Sequence, residues 1–118
     1  MPEQSFLPKH TEIFFNGSFI DGDTRLQSRN PATGEEILEV SGASPIMVDQ
    51  IVEHASRAQP GWWNLDIRER VACVRNFIRQ IEAHGEELAM LDAIDSGNPY
   101  QGMLIDIKIS LAVMDLFT

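Results

Sequence analysis

The stretch Asn30-Pro31-Ala32-Thr33-Gly34 restricts the fold of this chain more than any other. Proline has no N–H to donate, so a strand that reaches Pro31 cannot continue its hydrogen-bond ladder through it. Gly34 can take the left-handed conformation that closes a tight loop. The residues on either side, Arg25 to Arg29 and Glu36 to Val40, are therefore expected to pair as a small β ribbon. Because apolar and polar residues alternate imperfectly after the turn, we expect one buried face and one partly solvated face.

An earlier pair, Asn16-Gly17, lies between an aromatic run that begins at Ile13 and a second run that ends at Ile20. A type I′ turn needs positive φ at both central residues, and Asn-Gly is the pair that accepts it best. Residues 13–20 are thus expected to form a two-residue hairpin. Residues 1–12 show no periodicity, so they are expected to form an N-terminal arm that is ordered only by packing on something else.

After Gly42 the apolar spacing becomes helical. Ser44-Pro45 is typical of an N-cap followed by proline at the first helical position, and Pro60-Gly61 predicts the end of that helix. Trp62 and Trp63 are then expected in a connection, where they would fill a junction between helices.

The second helix is expected to begin at Asp66, which forms a capping box with Glu69, and to end at Gly85. Its apolar residues recur at helical spacing and are Ile67, Val71, Val74, Ile78 and Ile81. A third helix should end at Gly97, and Asn98-Pro99 should start the fourth. The fourth is apolar on several sides and needs partners on more than one face. We therefore expect Thr118 to interrupt a longer chain.

Composition excludes several function classes. The net charge of −9 and the pI near 4.6 argue against nucleic acid or an anionic membrane surface as a partner. No apolar run approaches the roughly 18 residues that a membrane-spanning helix needs, and the first residues lack a signal-peptide pattern. A single cysteine, Cys73, rules out an internal disulfide framework, which favours the reducing cytoplasm.

No residue pattern here forms a recognisable catalytic apparatus. Glycine-rich phosphate cradles are absent, and Cys73 is expected to pack in the core as an unactivated mid-helix thiol. The three histidines, at positions 10, 54 and 84, are too far apart in sequence to suggest zinc. Asp92 and Asp95 could approach a cation, although oxygen-rich sites need ligands from several segments.

Four segments, in this order and spacing, resemble the N-terminal segment of the NAD(P)-dependent aldehyde dehydrogenase superfamily. They are Phe15 to Ile20, Asn30 to Glu35, Trp62 to Arg70 and Leu91 to Pro99. The resemblance covers residues 13–118. It implies an α/β fold in which these residues form the N-terminal part of the NAD(P)-binding domain, with β ribbons, about four helices and a parallel sheet mostly outside this chain.

The resemblance also implies a reaction. Such enzymes oxidise an aldehyde to a carboxylate through a cysteine thiohemiacetal, with NAD or NADP as hydride acceptor, and the full-length protein is expected to be a homo-oligomer, a dimer or tetramer. Their catalytic and cofactor-binding residues lie beyond the position of Thr118, and Cys73 does not match the nucleophile. The stretch alone is therefore expected to be inactive.

One site is implied residue by residue. Several members hold a monovalent cation, K⁺ or Na⁺, at positions that match Ser28 and Arg29, through backbone carbonyls, and Asp95. A structural cap or hydrogen-bonding role for Asp95 stays open. Many relatives have lysine where this chain has Asn98, which changes the local charge. The alternative to the enzyme is a non-enzymatic helical interaction module that offers its last helix to a partner.

Overall fold

The computed structural model describes residues 6–118. Its elements, in chain order, are β1 (Ile13–Phe15), β2 (Ser18–Ile20), β3 (Thr24–Arg29), β4 (Glu36–Gly42), α1 (Pro45–Trp63), α2 (Ile67–Ala83), α3 (Gly85–Ser96) and α4 (Tyr100–Leu116). They divide into two compact units. The ribbon unit contains Pro8–Arg29 and Glu35–Leu65, and the helical unit contains Asn30–Gly34 and Asp66–Thr118 together with residues 6 and 7.

The first hairpin forms as the Asn-Gly pair predicts. Strands β1 and β2 pair antiparallel, with Phe14 opposite Phe19. The two turn residues, Asn16 and Gly17, have φ of 48° and 80°. Positive φ at both positions is the requirement of a type I′ turn. The prediction of a two-residue hairpin is therefore confirmed.

The second ribbon also forms around the Asn-Pro turn. Strands β3 and β4 pair antiparallel, with a register shift between Ser28, opposite Leu38, and Arg29, opposite Glu36. One residue of β4, Ile37, is thus extra at this point, which is the mark of a β-bulge. The bulge explains the imperfect alternation of the sequence, since Ile37 and Leu38 are both half-buried.

Helix α1 begins as expected, with Ser44 as its N-cap accepting a hydrogen bond from the Met47 N–H at 3.3 Å and Pro45 in its first turn. The prediction that it ends at Pro60-Gly61 is wrong, because the helix continues to Trp63. Proline at position 60 removes only its own N–H, while its carbonyl still accepts from the Asn64 N–H at 3.1 Å. Both tryptophans therefore lie in the last turn of α1. Their side chains are 41% and 63% exposed.

Helix α2 has the predicted capping box, in which Asp66 accepts from the Arg68 N–H at 2.8 Å and Glu69 accepts from the Asp66 N–H at 3.1 Å. Four of the five predicted apolar residues are half-buried, and Ile67 is exposed. Cys73 is exposed as well, so the prediction of core packing is wrong for it. It lies beside the apolar stripe of α2, and its neighbour in that stripe, Val74, is half-buried.

The junctions around α3 differ from the expectation in two details. Gly85 does not end α2; His84 is the C-cap of α2 and the N-cap of α3, and Gly85 is the first residue of α3. Gly97 ends α3 in the left-handed conformation, as predicted. Asn98, however, does not cap α4, since Pro99 is the N-cap and no side chain supplies a capping bond. The Asn98 N–H instead donates to Ser96 Oγ at 3.2 Å.

The helical unit has a small core where α2, α3 and α4 pack together. Its most buried apolar side chains are Ala89 on α3 and Met103 on α4, at 0% and 8% exposure. The opposite side of α4 is uncovered within residues 6–118, as expected of a helix that is apolar on several sides. There Ile105, Ile109, Val113 and Leu116 are each at least half exposed. Four helices with two antiparallel ribbons agree with the N-terminal portion of an α/β domain of the kind the sequence resembles.

Candidate functional site

The Asn30–Gly34 turn packs against the end of α3 inside the helical unit. A Cβ atom placed on Gly97 would lie 2.8 Å from Cγ of Pro31, closer than real Cβ contacts. The turn closes on itself through the Gly34 N–H, which donates to the Asn30 carbonyl at 2.7 Å, and through Asn30 Oδ1, which accepts from the Ala32 N–H at 2.9 Å. Residue 97 must therefore be a glycine both for its conformation and for the space that Pro31 occupies.

The end of α3 concentrates negative charge. Asp92 and Asp95 lie in its last two turns, and the last turn contains no basic residue. The C-terminus of a helix is the negative end of its dipole, so carboxylates there are unfavourable and a cation is favoured. The Ser96 hydroxyl donates to the Asp92 carbonyl at 2.6 Å, so this side chain bonds back within α3. The local field thus suits a cation near Asp95.

Asp92 and Asp95 also line a cavity of about 450 Å³ in the helical unit. The remaining lining residues are mostly apolar and come from all three helices of that unit: Ile81, Leu88, Leu91, Ile107, Ser110 and Met114. Both carboxylates are exposed, so this apolar lining does not withdraw them from water.

The other two predicted ligands, Ser28 and Arg29, lie on β3 opposite the bulge of β4 in the ribbon unit, whereas Asp95 belongs to the helical unit. The Ser28 carbonyl accepts from Gln27 Nε2 at 3.2 Å, and Arg29 Nη2 forms an ion pair with Glu36 Oε1 at 2.7 Å. The ligands expected from Ser28 and Arg29 are their backbone carbonyl oxygens. Oxygen donors of this type are the ones that Na⁺ and K⁺ take. Among residues 6–118, no three His, Cys, Asp or Glu side chains converge as a metal site would require.

Sequence reasoning missed a second junction, in the ribbon unit. Asp23 Oδ1 accepts from the Ser44 N–H at 2.6 Å, and Asp23 Oδ2 accepts from the Ser44 hydroxyl. The Ser44 hydroxyl and then its N–H, in that order of effect, lower the pKa of Asp23 below its ordinary value. Because Ser44 also caps α1, Asp23 fixes the start of that helix to the loop before β3. The only sequence signal is the Asp21-Gly22-Asp23 run, which by itself indicates no more than the end of a strand.

Each of the three histidines contacts a different neighbouring side chain. His10 stacks on Phe19 with ring centres 3.8 Å apart, and His54 meets the ring of Phe15 edge-on at 5.0 Å. His84 Nδ1 lies 2.9 Å from Glu87 Oε2. Each histidine thus has a structural role beside its nearest neighbours.

Within the described part of the chain, no helix is both long enough and apolar enough to cross a bilayer.

Comparison with known proteins identifies the class. The pattern of the Aldehyde dehydrogenase family matches residues 19–118. Aldehyde dehydrogenase tropH of Talaromyces stipitatus is 31% identical over 118 residues, which cover 98% of this chain and 23% of that protein. N-succinylglutamate 5-semialdehyde dehydrogenase of Burkholderia mallei is 34% identical over 107 residues, covering 90% and 22%.

Solved structures agree. A putative aldehyde dehydrogenase from Burkholderia cenocepacia superposes with a TM-score of 0.85 at 30% identity, covering 92% of this chain and 23% of that one. The aldehyde dehydrogenase of Bacillus cereus in complex with NAD⁺ gives 0.83 at 32% identity, covering 94% and 24%. The fold is therefore that of an α/β dehydrogenase domain in part. The chain belongs to the aldehyde dehydrogenase family, and it spans about a quarter of the length of the relatives it matches.

Proposed function

We propose that this chain is the N-terminal portion of an NAD(P)-dependent enzyme that oxidises an aldehyde to a carboxylate. The observation that carries the proposal is the family match over residues 19–118, supported by structural agreement at a TM-score of 0.85. The competing interaction module would require this likeness to have no functional meaning.

The role of this portion is to support a cofactor domain rather than to perform the reaction. In the complete enzyme a cysteine captures the aldehyde, and the nicotinamide, when bound, accepts the hydride. Cys73 is a poor nucleophile for this step because it lies in the middle of α2, away from the positive end of the helix. The residues of this chain instead hold the two ribbons, the Asn30–Gly34 turn and the helices in place.

The substrate is expected to be selected elsewhere. By their names, two of the relatives act on betaine aldehyde, which is a cation, and on N-succinylglutamate 5-semialdehyde, which is an anion. Because proteins named for differently charged aldehydes both resemble this segment, we infer that other parts of the enzyme select the substrate. We infer a small-molecule aldehyde for the complete enzyme, with NAD or NADP as cofactor, a homo-oligomer as its assembled state, and the cytoplasm as the compartment that suits a single free cysteine.

A chimera tests the proposal directly. Residues 19–118 of this chain replace the matching segment of the Burkholderia cenocepacia relative, and formation of reduced nicotinamide is followed with a simple aldehyde. We expect a folded chimera that oxidises aldehydes within about tenfold of its parent, since the grafted segment contributes packing and no catalytic group. A chimera that folds and assembles but neither binds NAD⁺ nor turns over would refute the proposal.

The matched control is Cys73→Ser in the same chimera. Because Cys73 is exposed and is not assigned to catalysis, the variant should keep its full activity. If activity is lost while the fold and NAD⁺ affinity are retained, then Cys73 takes part in the chemistry and the division of roles proposed above is wrong.

We also propose that the end of α3 holds a monovalent cation, K⁺ or Na⁺, through the Asp95 carboxylate together with the backbone carbonyls of Ser28 and Arg29. The support is the match of these positions to the cation ligands of the family that the sequence resembles, and the negative end of α3, whose last turn has no basic residue. When bound, such an ion supplies only a fixed positive charge.

The cation is tested by thermal unfolding in K⁺, Na⁺ or tetramethylammonium chloride at equal ionic strength. K⁺ or Na⁺ should raise the melting temperature relative to the bulky ion, and Asp95→Asn should abolish the difference. Asp106→Asn, which removes an exposed carboxylate on α4 that does not line this cavity, is the matched control and should preserve it. Equal melting in the three salts, or equal loss in both variants, would contradict the site.

A further inference from the structure

We draw no further inference here: the strongest candidate, the open groove of about 590 Å³ along α2 that Arg68, Arg75 and Arg79 line, carries nothing because nothing in the structure shows what covers it.

Discussion

The contact between Gly97 and Pro31 gives the sharpest test of how the Asn-Pro turn is held against α3. In Gly97→Ala the new methyl group meets two obstacles. The backbone at position 97 has a φ of 77°, and Cγ of Pro31 lies 2.8 Å from where the Cβ would be. Relieving them requires the backbone after the Gly97 N–H, which donates to the Ala93 carbonyl at 3.0 Å, or the Pro31 ring to shift.

The two obstacles have separable costs. A left-handed backbone costs an L-residue about 1–2 kcal/mol. Forcing a methyl group into an occupied position costs about 1–3 kcal/mol more. We therefore expect Gly97→Ala to lower the free energy of unfolding by about 2–5 kcal/mol.

Gly34→Ala is the matched control, because Gly34 has nearly the same φ, 76°, and nothing lies within 4 Å of the position that its Cβ would take. It should cost only the conformational part, about 1–2 kcal/mol. Urea unfolding followed by far-ultraviolet circular dichroism measures both variants. The excess cost of Gly97→Ala over Gly34→Ala then reports the contact with Pro31.

A double-mutant cycle completes the test. Pro31→Ala removes Cγ, so Gly97→Ala should cost less in that background, with a coupling of about 0.5–3 kcal/mol. If Gly97→Ala costs no more than Gly34→Ala, or if its cost is the same with and without the Pro31 ring, then the turn does not rest on Gly97 and the reasoning fails.

Three further results are expected. Asp66→Ala should destabilise the chain by about 0.5–2 kcal/mol in urea unfolding, since it removes the N-cap of α2, and an unchanged midpoint would mean that the capping box contributes nothing. Asp23→Asn should reduce the loss of stability in acid. The lowered pKa of Asp23 stabilises the fold at pH values above the ordinary pKa of 3.8, and this contribution disappears as the pH falls through the lower pKa of the folded state. Melting temperatures measured from about pH 5 downward should therefore fall less steeply for the variant than for the parent chain. The exposed apolar side of α4 should make the chain self-associate, and the double variant Ile105→Lys/Ile109→Lys should reduce this in sedimentation experiments. Helix content should not change, because both isoleucine side chains are more than half exposed. A wild-type chain that is already monomeric would contradict the prediction.

Local chemistry accounts for what could be predicted without coordinates. Three features follow from residues that accept a positive φ: the turn at Asn16-Gly17, the closing glycine at position 34 and the left-handed end of α3 at Gly97. The capping box follows from the side chain of Asp66 and that of Glu69, three residues later. The same reasoning failed at Pro60, because a proline removes one hydrogen bond and the last turn of α1 survives without it. It failed again at Gly85 and Asn98, where glycine and asparagine occur without the conformation or the capping bond that they favour elsewhere.

Sequence alone therefore determined the order of the elements, the turns between the strands, three of the helix boundaries and the family. Tertiary structure alone decided which apolar residues are covered, with Val71 half-buried and Cys73 exposed on the same helix. It also decided that Pro31 rests on Gly97 and that Asp23 holds Ser44. The reason is physical: a turn or a cap depends on the few residues that form it, whereas burial and long-range hydrogen bonds depend on which distant segments meet.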